Sequence, residues 1–193
     1  MRRSSPPSSE PPSLTPNPAV YQFHASARQT LVEAAWVECG LLVHQQLIWV
    51  KARPVLTHSH YLWQHEPRFY GWVKGKQPTN RPPTTARTVW TTTDTWDTSD
   101  PIDEDGATGL HPTQKPVELI RRMVEYHTVP GEVVYEPFSG SGTCLVACEL
   151  SGHRCFALEL APAYCDVVVA RWERLTGKTA VRVPADEVGR DAA

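Results

Sequence analysis

One stretch, Glu132 to Leu160, limits what this chain can fold into more than any other. Val133 to Tyr135 is β-branched and aromatic, as a buried strand requires. Pro137 has no N–H to give a ladder, so the strand ends there. Gly140 and Gly142 allow a tight bend and a close approach of backbone to ligand. Thr143 is placed to cap the helix that follows, whose face carries Leu145, Val146 and Leu150. Gly152 stops that helix. A second strand, Cys155 to Leu158, leads into Glu159. Strand, glycine turn, helix, strand and acid make half of a nucleotide-binding α/β unit.

The acid falls about 20 residues past the glycines, the spacing at which a carboxylate accepts hydrogen bonds from a ribose. A dinucleotide fingerprint needs a third glycine where Leu145 stands, and a phosphate loop needs a lysine after Gly142. Neither is present. A glycine turn with a ribose-binding acid and no phosphate grip suits S-adenosylmethionine. A plain α/β turn with a surface glutamate gives the same spacing, and on spacing alone both readings stand.

Glu136-Pro137-Phe138-Ser139-Gly140-Ser141-Gly142-Thr143 resembles the Asp-Pro-Phe-x-Gly-Ser-Gly-Thr motif of DNA amino-methyltransferases, which methylate adenine N6 or cytosine N4. Upstream, His111-Pro112-Thr113-Gln114-Lys115-Pro116 resembles the same family's His-x-Thr-Gln-Lys-Pro segment. A weaker likeness runs from Ala19 to Thr179. Glu136 departs from the family's Asp and moves the carboxylate by one methylene. The resemblance implies an α/β, Rossmann-like methyltransferase fold with permuted motif order, and S-adenosylmethionine as cofactor. It implies that Phe138 packs near the adenine or the methionine arm. Glu136, Pro137, Gly140, Ser141, Gly142 and Thr143 would line the cofactor, Glu159 would hold its ribose, and Thr113, Gln114 and Lys115 would approach from the start of the next helix. Double-stranded DNA is the implied partner, in a restriction-modification setting.

The family's catalytic tetrapeptide is Asp, Asn or Ser, then Pro-Pro, then an aromatic. Pro-Pro occurs at Pro6-Pro7, Pro11-Pro12 and Pro82-Pro83, and no aromatic follows any of them. The expectation is therefore an N-terminally incomplete domain with no catalytic residue of its own. Its sheet should be incomplete at the centre: either the two flanking strands pair directly, or each keeps an exposed inner edge that aggregates or takes a strand from a partner chain or second copy. Three readings stay open: a DNA amino-methyltransferase or its cofactor half, an inactive remnant that binds cofactor or DNA, and a methyltransferase acting on RNA or a small molecule.

The chain has 193 residues, enough for one core. Residues 1–18 read as a disordered Ser/Pro-rich leader, 19–183 as the domain with a long insert at 77–110, and 184–193 as a flexible tail. No apolar run approaches a membrane span, and no secretory signal opens the chain, so the expected location is cytoplasmic. Five cysteines form no disulfide framework. Cys144 and Cys148 lie one helical turn apart, and Cys155 and Cys165 sit in apolar surroundings; a zinc site is one reading, but the spacing is not a finger pattern, so buried free thiols and no metal are expected.

Net charge is −2, yet seven basic residues from Lys51 to Arg87 face Glu66 alone. Phosphate contacts are expected from Lys51, Arg53, His58, His60, Lys74 and Lys76, though a solvated hairpin explains the same charges. Helices are expected over 28–39, with Leu31, Val32, Ala35, Trp36 and Cys39 on the inner face, and over 117–127. A third runs from Pro162 to Leu175 along Tyr164, Val167, Val168, Trp172 and Leu175. Strands are expected at Ala19–Phe23, Leu41–Val50, Arg68–Val73 and Thr88–Trp90, with a loop at Arg53–Pro67 and a short strand at Lys178–Val183.

Overall fold

The computed structural model describes residues 17–55, 58–91 and 115–184. The leader up to residue 16, most of the insert, Thr113 and Gln114, and the tail from 185 lie outside the described residues.

Among the described residues, six strands and four α-helices follow in the order β1 (Val20–Phe23), α1 (Gln29–Glu38), β2 (Leu41–Val55), β3 (Trp63–Val73), β4 (Val89–Thr91), α2 (Val117–His127), β5 (Val133–Glu136), α3 (Thr143–Leu150), β6 (Arg154–Ala157) and α4 (Pro162–Thr176). The strands form two sheets, one of order β1-β3-β2-β4 and one of β5-β6. β3 runs antiparallel to β1 and β2, while β4 is parallel to β2 and β6 to β5. Among the described residues nothing pairs with the second edge of β1 or of β5.

Helix α2 holds the halves together. Leu119 and Met123 pack into an aromatic core with Leu47, Trp49, Tyr70, Trp72 and Trp90. One turn on, Val124 packs with Cys144 and Cys148 in a second core. Ile120 touches both. Burying Leu119 completely contributes about 1.5–3 kcal/mol relative to exposure.

The hairpin is longer than the sequence suggests. The expected loop at Arg53–Pro67 is strand on both sides, and Val55 pairs with Trp63. Pro67 is tolerated because it lies opposite Ile48, whose own N–H turns the other way to Thr88 O at 2.8 Å. Pro67 thus occupies a position where the β2–β3 ladder asks for no donor.

Two helices bury different faces from those expected. In α1 only Trp36 is fully buried, against Phe69, and Leu31 is 65% exposed. A single ring anchors the helix. In α3 the buried residues are Thr143, Cys144, Val146, Ala147 and Cys148, while Leu150 is half exposed. α3 is covered by α2, β6 and α4, so small side chains face inward on several sides. Thr143 is the first helical residue and makes no side-chain cap. Residues 178–183 form no strand.

Candidate cofactor site at the glycine turn

The C-terminal ends of β1, β2, β5 and β6 point to one side of the molecule. Lys115 shows this, since its Nζ lies 4.5 Å from the Phe23 ring and 3.7 Å from Glu66 Oε2. Its charge also acts on Glu136 at the end of β5. Ligands of open α/β sheets bind on this side.

The turn after β5 is built by backbone donors. Phe138 N donates to Glu136 Oε1 at 2.8 Å, Ser139 N to Leu158 O at 2.9 Å, and Gly142 N to Ser139 O at 2.9 Å. Gly142 opens α3 with φ 83°, a conformation that side chains resist. A Cβ there would meet both methyls of Val168 at 3.0 Å.

Glu159 closes the turn from β6. Its Oε2 accepts from Gly140 N at 2.8 Å and its Oε1 from Ala161 N at 2.9 Å. These two bonds fix the carboxylate at the turn. Pro137 breaks the ladder after β5, and Phe138 stands 82% exposed at the mouth, with Leu160 beside the acid also exposed. Glu136 is partly buried, and that burial raises its pKa, with the Phe138 N–H acting in the opposite sense.

Glu136, Pro137, Phe138, Gly140, Ser141, Gly142, Thr143 and Glu159 thus converge, and Lys115 reaches the same side. The basic residues do not converge. Arg53, His58 and His60 lie at the tip of the β2–β3 hairpin, where Tyr61 is 88% exposed. Lys74 and Lys76 lie at the other end of β3, eleven residues or roughly 35 Å away. Lys51 is engaged with Glu66 at 2.7 Å.

The sequence reading overlooked Arg171. It is buried, and its Nη1 donates to Ser141 O at 2.6 Å, so α4 grips the turn from behind. A charge at the i+7 position of the Tyr164–Val168 stripe was the available signal. Of the cysteines weighed in the sequence, Cys155 joins Cys144 and Cys148, and their three sulfurs lie within 4.8 Å of one another.

The N6_N4_Mtase family model, described as DNA methylase, matches residues 32–170. The type II methyltransferase M.Cfr9I of Citrobacter freundii is 29% identical over 151 residues, covering 69% of this chain and 45% of that protein. The type II methyltransferase M.XycI of Xanthomonas campestris pv. cyanopsidis is 30% identical over 146 residues, covering 70% of this chain and 43% of that protein. The chain thus spans less than half the length of these two relatives. The crystal structure of an M1.HpyAVI–SAM complex superposes with a TM-score of 0.66 at 22% identity, covering 82% of this chain and 76% of that one. The α/β, Rossmann-like fold read from the sequence agrees with that likeness.

Proposed function

The chain belongs to the N6/N4 DNA methylase family, and from that premise we propose that it holds S-adenosylmethionine at the glycine turn and serves the methylation of an exocyclic amine of adenine or cytosine in DNA. The observation that carries this is the carboxylate of Glu159 fixed 2.8 Å from Gly140 N, at the C-terminal ends of β5 and β6. The residues present fit the cofactor. Glu159 brings a carboxylate to a ribose diol, Phe138 and Leu160 offer apolar surface to an adenine, and the turn from Ser139 to Gly142 brings backbone close to the methionine arm. The relative M1.HpyAVI was crystallised with SAM, which supports the same assignment here.

When bound, the cofactor supplies an electrophilic methyl on a sulfonium. The chain's own part is to hold and orient. Gly140 and Gly142 shape the turn, Arg171 and Glu159 brace it, and Glu136 and Lys115 set the charge beside it. The acceptor amine is a weak nucleophile and needs in-line placement and acceptors for its hydrogens. The target base must also be flipped out and stacked on an aromatic ring. No tetrapeptide of that kind occurs in this sequence. We therefore assign no catalytic residue, and we propose that a strand seats between β1 and β5, supplied by a partner chain or a second copy, and that the catalytic tetrapeptide comes from a partner chain that carries one. A DNA substrate and five free cysteines suit a reducing compartment such as the cytoplasm.

Calorimetry with S-adenosylmethionine tests the assignment. Glu159→Ala should weaken binding by ~1.5–3 kcal/mol, the value of a charged acceptor lost. Equal affinity for both proteins would sink the ribose role.

A further inference from the structure

Behind the glycine turn, α3 and β6 bring three thiols to one point. Cys144 and Cys148 sit one turn apart on α3, and Cys155 is the second residue of β6. All three sulfurs lie within 4.8 Å of one another, and none is in a disulfide. Cys148 is wholly buried and Cys144 nearly so. A cavity of about 290 Å³ adjoins them, lined by Cys148, Cys155, Trp172 and His153. His153 is only 8% exposed, and its Nδ1 lies 2.9 Å from Ser151 Oγ. Its Nε2 is buried with no hydrogen-bond partner among the described residues.

Core packing accounts for one or two buried thiols, since a thiol behaves as a small hydrophobe. It does not account for three that converge beside a cavity lined by His153. We propose that Cys144, Cys148 and Cys155 form a thiolate site for a thiophilic cation such as Zn²⁺, with the fourth position open to the cavity that His153 lines. Zinc–sulfur bonds of about 2.3 Å place the sulfurs of a tetrahedral site roughly 3.8 Å apart. The cluster therefore needs only an inward shift of about 1 Å at most, within the reach of cysteine χ1 adjustments. Each ligand loses its thiol proton on binding, so protons are released to solvent as the metal–sulfur bonds form. Thiolate ligands select zinc or copper(I) over magnesium or calcium. The bound ion would pin α3 to β6. Gly142 opens α3, and Glu159 follows β6 by two residues, so the site would stiffen the glycine turn from below. It stands whether or not that turn holds S-adenosylmethionine.

The test is a titration of the full chain, reduced and stripped of metal, with Co²⁺ as the spectroscopic probe and Zn²⁺ as competitor. One equivalent of Co²⁺ should give a thiolate-to-metal charge-transfer band and the strong d–d absorption of a tetrahedral site, both erased by Zn²⁺. Cys144→Ala and Cys155→Ala keep the core apolar, and each should weaken binding at least tenfold and dim the charge-transfer band. Cys39→Ala, on the exposed end of α1, should change neither. Zn²⁺ should raise the melting temperature of the wild type and not of Cys155→Ala. No charge-transfer band at one equivalent, or an undiminished band in both Cys144→Ala and Cys155→Ala, overturns the site.

Discussion

Arg68 is fully buried in β3, and among the described residues none of its three guanidinium nitrogens has a hydrogen-bond partner. The guanidinium lies 3.9 Å from the centre of the Trp90 ring and 5.4 Å from that of Phe23, so cation–π attraction offsets part of its desolvation. Burial still pulls its pKa down to about 10. A buried charge without an anion is a net cost, and an apolar side chain of similar length removes it. Arg68→Met should therefore stabilise the chain by about 1–3 kcal/mol, read as a higher urea midpoint at unchanged slope. A lower midpoint would mean that Arg68 has a carboxylate partner in solution. In the sequence this arginine counted toward the basic stretch from Lys51 to Arg87. Strand alternation gave no warning, because both faces of β3 from Pro67 to Trp72 are covered. At the glycine turn the opposite holds. Its residues are near in sequence, and their geometry follows from two glycines, a proline and an acid, so Gly140, Gly142 and Glu159 were readable. Arg171 was not, because it comes from thirty residues away.

Helix α2 was legible end to end because its periodicity is strong and Pro116 precedes it. Its last residue ties the helix to β1. Tyr21 Oη lies 2.8 Å from His127 Nε2, and His127 Nδ1 lies 2.9 Å from Asn80 O. Asn80 O can only accept, so Nδ1 carries a proton, and in the neutral ring Tyr21 donates to Nε2. Burial lowers the His127 pKa below the ordinary 6.5, against the smaller pull of the Asn80 carbonyl. The unfolded chain therefore binds a proton that the folded chain refuses. Stability is full above pH 6.5 and falls as pH drops from there through the folded value. Urea midpoints across that range should show this slope, and His127→Gln should flatten it. A midpoint independent of pH in the wild type would contradict the burial of a neutral ring. Helices α1 and α3 were harder to read. α1 leans on one tryptophan, and α3 is hemmed in by three elements, so neither shows a single apolar stripe.

Across the whole molecule, the C-terminal ends of the parallel strands define one working face. The hairpin tip, with Arg53, His58, His60 and the exposed Tyr61, extends beyond Lys51 on that side. Lys74 and Lys76 project at the other end. If DNA meets the working face, Arg53→Ala should weaken binding to all sequences alike and lower the salt slope by about 1, whereas Lys74→Ala with Lys76→Ala should leave both unchanged. A filter-binding titration over salt concentration decides this, and equal losses from the two ends would refute it.

The same view shows where the architecture is open. β1 packs against α2 through Tyr21 and Phe23, and β5 reaches the second core through Val134. Lys115 lies over Phe23, and its charge acts on Glu136, so the two strand ends flank one side chain. Yet among the described residues β1 pairs only with β3 and β5 only with β6. Two strand edges on one supporting helix carry backbone groups that need partners. Left bare, they invite association. A strand entering there would join both sheets and bring its following loop to the mouth beside Phe138. Methyl transfer to DNA should then be absent from this chain alone and appear when a fragment carrying such a strand and an aromatic tetrapeptide is added in trans. Amide hydrogen exchange should report the docking directly, with protection rising in β1 and β5 and unchanged in β3. Transfer by the chain alone, or added protection outside those two strands only, would show that the edges are closed by something else.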